Sequence, residues 1–490
     1  MDLKAEPRGR KGAPKSPQQG TKQSTNGADQ PQAVERPQEL ETFKTHFKRR
    51  RKGTQRGSIL NYTGPTGIGK TTLVQKLIPE RLKTDFDDVV IVTVDFDRKR
   101  TGQEFSTLSK VINSLYKQLK GAGIQPDKNL ERNLKSVLSI RPVQSNKLEG
   151  VIEQFVQYVN EHASEKRIII IFDTIEDARV RNYKTPTLFP QVAKSIIEPI
   201  TKNGLVQCVV ASRAPVDSAL RYSVRMNRLV PAPLLPFTVK QISQLLPSKE
   251  IETANRILEL SEGLPLVSCA LASDLDTTWD KRLQQLDQEI INDYLLGDIK
   301  TKREKDGLKL LSPMRILNDE LVLKGFEAAR TAKSVDVHTQ NQAHSLLANF
   351  ISTELIYFDP ITKNIVFDPT FRKIIARVQK QVRPEQFRAV HQIAADWYQT
   401  QLKKKSDIKL IGHIVEYLYH RASLSQGRWD QSVCDELAEN IKGSLSTENQ
   451  IQSWGKDSKE QLFDQIFADP DLKQIVGGEE LLQLAKTLGL

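Results

Sequence analysis

Eight residues constrain this chain more than any others. Gly64-Pro65-Thr66-Gly67-Ile68-Gly69-Lys70-Thr71 fits G-x-x-x-x-G-K-[ST], directly after the apolar run SILNY and directly before the amphipathic stretch TTLVQKLI. The pattern requires a strand, a loop and a helix in that order. Its glycines let backbone N–H groups turn inward around a phosphate, and the following helix aims its positive end at the anion. Lys70 would reach the β- and γ-phosphate oxygens and Thr71 would ligate Mg2+. Gly64, Pro65, Thr66, Gly67, Ile68, Gly69, Lys70, Thr71 and Thr72 are therefore the expected nucleotide-binding set, with ATP or ADP and Mg2+ as cofactors.

Four short apolar runs separated by helical patterns accompany the loop: SILNYTG, VVIVTVDFD, RIIIIFD and VQCVVASR. They read as strands of a parallel α/β sheet buried on both faces. Each ends in polar residues, and open parallel sheets bind ligands beyond the carboxyl ends of their strands. Asp173, closing the third run, is the expected Mg2+-side acid. Hydrolysis also needs a group to orient water; Glu176 is the choice, with Asp177 beside it, and either acid also suits a helix start. The fourth run sets Ser212 and Arg213 at the same edge, where the Arg213 guanidinium would meet a γ-phosphate and distinguish ATP from ADP.

Length and charge set the frame around this domain. A chain of 490 residues has room for about three domains of ordinary size. No apolar stretch approaches the roughly 18 residues of a membrane-spanning helix, and the basic N-terminus has no apolar run behind it, so neither an integral membrane protein nor a secretory leader is expected. The expected location is cytoplasmic. Cys208, Cys269 and Cys434 are far apart and lack metal-ligand spacing, which argues against disulfides and structural zinc. The net charge of +12 is uneven: residues 1–57 hold 14 Lys and Arg against 6 Asp and Glu. Residues 1–33 have almost no large apolar side chains and read as a disordered basic tail. Leu40, Phe43 and Phe47 then mark a helix, ending in Lys48, Arg49, Arg50, Arg51 and Lys52. That run suits a helix C-terminus and a solvated loop, or a nucleic-acid contact.

The nucleotide-binding domain is expected over residues 34–230, a helical domain over 231–285, a winged helix over 286–383 and a helical region over 384–490. The proline-rich LVPAPLLPF reads as a linker, and ELIYFDPITKNIVFDP as the two strands of a wing. In the last region IGHIVEYLYHRA resembles the start of a TPR-like array, with His413 and His420 as packing residues on one face.

Taken together, these motifs resemble the STAND-class ATPases, whose best-known branch is the NB-ARC domain of plant immune receptors and animal apoptosis scaffolds. Arg36 with Pro-Gln-Glu-Leu is similar to the family's R-x-x-E-L opening, GPTGIGKTT to its Walker A, IIIIFDTIED to its Walker B, VVASRAP to its Ser-Arg strand and Gly263-Leu264-Pro265-Leu266 to its GLPL element. The resemblance implies a P-loop domain, a helical domain and a winged helix clamped over one nucleotide, with Arg36 near the adenine and Pro265 packed against it. Phe367 stands where the family often has the histidine of Met-His-Asp, and Asp368 would cap the next helix. The implied function is a slowly hydrolysing signalling switch, closed with ADP and self-assembling with ATP, with a protein partner supplying sensor or effector. The alternative is a DNA-acting AAA+-like initiator or regulatory ATPase, in which the basic N-terminus and the winged helix meet DNA.

Overall fold

The computed structural model describes residues 34–490 except 50–58, 87, 98–104, 140–144, 176–187, 214, 218, 249, 274, 276, 298, 300, 329–338, 352–354, 360–363, 405–409, 426–428 and 446–450. The expected tail over 1–33 thus lies outside the described residues, as do Glu176, Asp177 and the side chains of Lys48 to Lys52. Among the described residues no helix is long and apolar enough to cross a membrane. Among the described residues none of the three cysteines forms a disulfide.

The chain is an α/β P-loop domain with a parallel sheet, followed by a small helical domain, a winged helix and a C-terminal helical segment. Five strands, β1 (Ile59–Thr63), β2 (Val89–Asp95), β3 (Arg167–Asp173), β4 (Gln207–Ser212) and β5 (Leu229–Pro233), are ordered β2-β3-β4-β1-β5 and pair in parallel. Strand β3 is buried from Ile168 onward, as expected of a strand covered by helices on both faces. Two apolar cores result, one on each face. Ile168, Ile170 and Phe172 of β3 enter one with the helices Leu108–Gly121 and Ser145–His162; Ile169 and Ile171 enter the other with the phosphate-loop helix.

The structure corrects the reading of LVPAPLLPF. Leu229 to Pro233 form the fifth strand, in register with β1 from Ile59↔Leu229 to Thr63↔Pro233. The prolines concealed it, because proline cannot donate to a ladder and is tolerated in a strand only at a sheet edge or bulge. Here β5 is the edge, so the sheet extends past residue 230 and the connection to the helical domain begins at Leu234.

Helices Ile251–Ser261 and Pro265–Ser273 form the centre of the helical domain. The winged helix follows, with helices Lys302–Leu311, Asp319–Ala328 and Gln340–Ile351 and a three-stranded sheet ordered β6 (Ile316–Leu317), β8 (Asn364–Phe367), β7 (Ile356–Asp359). Phe367 is buried in this unit. Asp368 caps helix Pro369–Val382, its Oδ1 accepting from the amides of Thr370 at 3.0 Å and Phe371 at 3.1 Å.

Charged pairs fasten the later segments together. Lys309 of the winged helix meets Asp287 at 2.7 Å with both side chains buried, and Gln379 donates to the same carboxylate. Arg315, stacked 4.0 Å from the Tyr419 ring, pairs with Glu416 at 2.9 Å and with Asp469, while Arg372 pairs with Asp471 and donates to Tyr419 Oη. Removing one member of such a buried network would leave its partner charged and dry, which makes the network a fixed joint between winged helix and C-terminal helices.

Candidate nucleotide-binding site

The phosphate loop turns as its glycines permit. Gly67 has φ 81° and Gly69 φ 92°, both in the region that costs an L-residue about 1–2 kcal/mol. After Gly69 the helix runs through Lys70–Thr72, a π-turn at Leu73–Leu77 and Ile78–Asp85 without a break. The Lys70 ammonium is held in the loop by the carbonyls of Gly64 at 2.7 Å and Pro65 at 3.1 Å. Thr71, next on the helix, is half-buried.

The carboxyl edge of the sheet brings the polar strand ends together. Asp95 of β2 lies directly opposite Asp173 of β3, and Gln75, within the π-turn, donates to both: 3.0 Å to Asp95 Oδ2 and 2.7 Å to Asp173 Oδ2. Asp95 and Gln75 thus join Asp173, the acid expected from the sequence. The signal for Asp95 was present, an acid ending the run VVIVTV, but its register against Asp173 appears only when the strands pair. Thr174 follows with φ 55°, its amide donating at 2.8 Å to Asp173 Oδ1. Backbone strain of this kind in a non-glycine residue gathers at functional sites.

Strand β4 contributes Ser212, whose Oγ accepts from Asn61 Nδ2 at 2.9 Å and whose carbonyl accepts from the Gly64 amide at 3.2 Å. Arg213 follows at the same edge and is half-buried. The expected Lys70, Thr71, Asp173 and Arg213 thus belong to the loop and the sheet edge around it; Glu176 is outside the described residues.

Two expected residues tie other parts of the chain to the loop. Arg36, 3% exposed, donates to the Ile68 carbonyl in the loop and to the Leu235 carbonyl after β5, each at 2.7 Å, pairs with Glu39 at 2.8 Å, and lies 4.9 Å from the Phe237 ring centroid. Pro265 is buried at the first position of its helix, and the Leu266 amide donates to the Gly67 carbonyl at 3.1 Å. A Cβ on Gly67 would stand 2.9 Å from Leu266 Cβ, so the glycine admits the helical domain onto the loop as well as permitting the turn. Gly263 (φ 70°) is equally constrained, for a Cβ there would stand 2.5 Å from the Phe237 carbonyl.

The donors that would hold a metal here are the Thr71 hydroxyl and the Asp173 and Asp95 carboxylates. All are oxygens, as hard Mg2+ requires. Among the described residues no cluster of three or more His, Cys, Asp or Glu forms a metal cage. Mg2+ binds through one or two carboxylates together with substrate phosphates.

Loop, strand order and sheet-edge acids define a P-loop NTPase site. Residues 32–191 match the family model described as an AAA ATPase domain. No curated protein matches the chain. Among solved structures it is similar to Aeropyrum pernix ORC2 in ADPNP–ADP complexes, at 14% identity over 72% of this chain and 95% of that one, with a TM-score of 0.36. It is also similar to Pyrobaculum aerophilum Cdc6p, at 11% over 74% and 97%, TM-score 0.34. Aeropyrum pernix ORC1 in complex with DNA matches at 16% over 72% and 93%, TM-score 0.36.

Proposed function

We propose that the chain is an ATP-binding and ATP-hydrolysing switch in which nucleotide at the phosphate loop sets the arrangement of the helical domain and winged helix. The observation that carries this reading is the Leu266 amide bonded to the Gly67 carbonyl, because it joins the phosphate-loop backbone directly to the helical domain. In this reading Lys70 holds the β- and γ-phosphates, and Thr71 and Asp173 hold Mg2+ with Asp95 beside them. Mg2+ supplies charge neutralisation of the phosphates. Glu176 or Asp177 orients water, Arg213 meets the γ-phosphate, and Arg36 and Pro265 flank the base. Nucleotide shifts the arrangement only by its differential affinity for the two forms.

Two finer readings differ in partner. A DNA-acting AAA+-like initiator or regulatory ATPase is favoured by the AAA ATPase match and by the exposed, amide-rich face of helix Gln340–Ile351, where Gln340, Asn341, Gln342 and Asn349 have the chemistry that pairs with adenine edges. That face has no Lys or Arg, so phosphate contacts would fall to Lys48, Arg49, Arg50, Arg51 and Lys52. A STAND-type signalling switch is favoured by Gly263 to Leu266 seated on the phosphate loop.

Lys70→Ala tests the shared reading: the purified variant should release no nucleotide on denaturation and should lose any Mg-ATP-dependent change in sedimentation. Retention of both by the variant would overturn the switch. Duplex DNA affinity against salt separates the finer readings, since each lost phosphate contact reduces the logarithmic slope by about 0.9. Replacing Lys48 to Lys52 with Gln should flatten it for the initiator and change nothing for the signalling switch.

A further inference from the structure

A cavity of about 460 Å3, with no phosphate-loop residue in its lining, lies where the helical domain, the helix Pro369–Val382 and the C-terminal helices meet. That volume is within the range of small-molecule sites. One wall is a single helix face, because Arg372, Lys373, Ala376, Arg377 and Lys380 recur at spacings of three and four. The facing wall includes the apolar Phe387, Ala422 and Ile475.

The charges in this cavity are unequal. Four bases line it against two acids, Glu259 and Asp471. Arg372 and Lys373 engage Asp471, and Arg377 engages Glu262 just outside the lining. Lys380 is exposed and has no ion pair among the described residues. The carboxylates thus hold the inner bases in fixed positions and leave a cation at the rim, opposite an apolar wall. The Arg377 guanidinium, held by Glu262, the Glu259 carbonyl and Gln474, loses little further freedom when a ligand arrives, and such preorganisation favours binding.

We propose that this cavity binds a small organic anion, a phosphate or carboxylate carried on an apolar frame, with its charge toward Lys380 and Arg377 and its frame against Phe387 and Ile475. The site is distinct from the phosphate loop and does not depend on the switch reading. Its position gives it a consequence. Glu259 and Leu260 belong to the helix that ends at Ser261, Arg377 grips Glu262, and Gly263 begins the element that sits on Phe237 and the loop. An occupant with different affinity for two arrangements of that helix would alter nucleotide affinity, and nucleotide would alter its affinity by the same factor.

The test uses the full chain carrying Lys70→Ala, titrated calorimetrically with inorganic pyrophosphate, citrate and 5′-AMP. Pyrophosphate and citrate separate phosphate from carboxylate chemistry, and AMP adds a ring for the apolar wall. The expected result is saturable binding of at least one probe below about 1 mM, weakened at least fivefold by Lys380→Glu. Ser423→Glu, which places a negative charge in the lining, should act in the same direction. Neither position is in the apolar core, and circular dichroism melts verify folding of both variants. If no probe saturates, or if both variants bind within fivefold of their parent, the assignment of an anion site is wrong.

Discussion

Replacing Arg36 with Met keeps the side-chain volume and apolar stem but removes three charged hydrogen bonds at once. The carbonyls of Ile68 and Leu235 lose donors 2.7 Å away, and Glu39 loses its partner at 2.8 Å. An orphaned buried acceptor costs about 1–3 kcal/mol, and the contact with the Phe237 ring contributes about 0.5–2 kcal/mol more. A loss of about 4 kcal/mol should therefore fall on the joint between phosphate loop and helical domain, while the distant winged helix keeps its stability. Hydrogen exchange resolved by peptide reads this directly, because about 4 kcal/mol corresponds to nearly a thousandfold faster exchange. The acceleration should appear at residues 64–73 and 234–238 and be absent from 364–382. Arg36→Met/Glu39→Gln should recover part of the loss by removing the stranded carboxylate. Exchange at 64–73 and 234–238 within threefold of the parent would refute the role given to Arg36 as the clamp between the two segments.

Other parts of the chain yield further expectations. Lys309→Met should destabilise the winged helix by about 3–5 kcal/mol in denaturant titrations, because Asp287 stays buried without its cation, and Lys309→Met/Asp287→Leu should recover most of that. His391 and His420 meet Nδ1 to Nδ1 at 2.9 Å, and burial, followed by the Arg372, Lys380 and Arg315 charges, pushes His391 down to about 3; His420 is lowered by burial and by His391. Both exclude protons when folded, whereas the unfolded chain takes them up below about pH 6.5, so stability should fall as pH drops from 6.5 toward 3. The slope is about 1.4 kcal/mol per pH unit for each histidine. Thermal melts from pH 7 to 4.5 check this, and His391→Gln should flatten the curve by one histidine's share; an unchanged slope would refute the assignment.

How much of this was legible in the sequence depended on whether the information was local. The phosphate loop was readable because strand, glycines, lysine and helix are consecutive, and Asp173 because four isoleucines precede it. Asp95 was hidden, since nothing near VVIVTVD reveals that its register sets the acid opposite Asp173. Strand β5 was hidden by Pro231 and Pro233, whose tolerance depends on an edge position that only the assembled sheet defines. Among the histidines, the reading placed His413 and His420 on one helical face, but the hydrogen-bonded partner of His420 is His391 on the preceding helix. Arg36 was selected through a motif; its engagement with carbonyls on two distant segments required the fold.

The position of β1 in the sheet also governs how the chain is made. Ile59 to Thr63 leave the ribosome well before the neighbours on either side, Cys208 to Ser212 and Leu229 to Pro233. At roughly 5–20 residues per second, the strand bearing the phosphate loop waits on the order of ten seconds for either neighbour. During that interval an apolar strand destined for the middle of the sheet has both edges unpaired. The nucleotide site is consequently among the last parts of its domain to form during synthesis, and the nascent segment preceding β4 is where a holding chaperone would act.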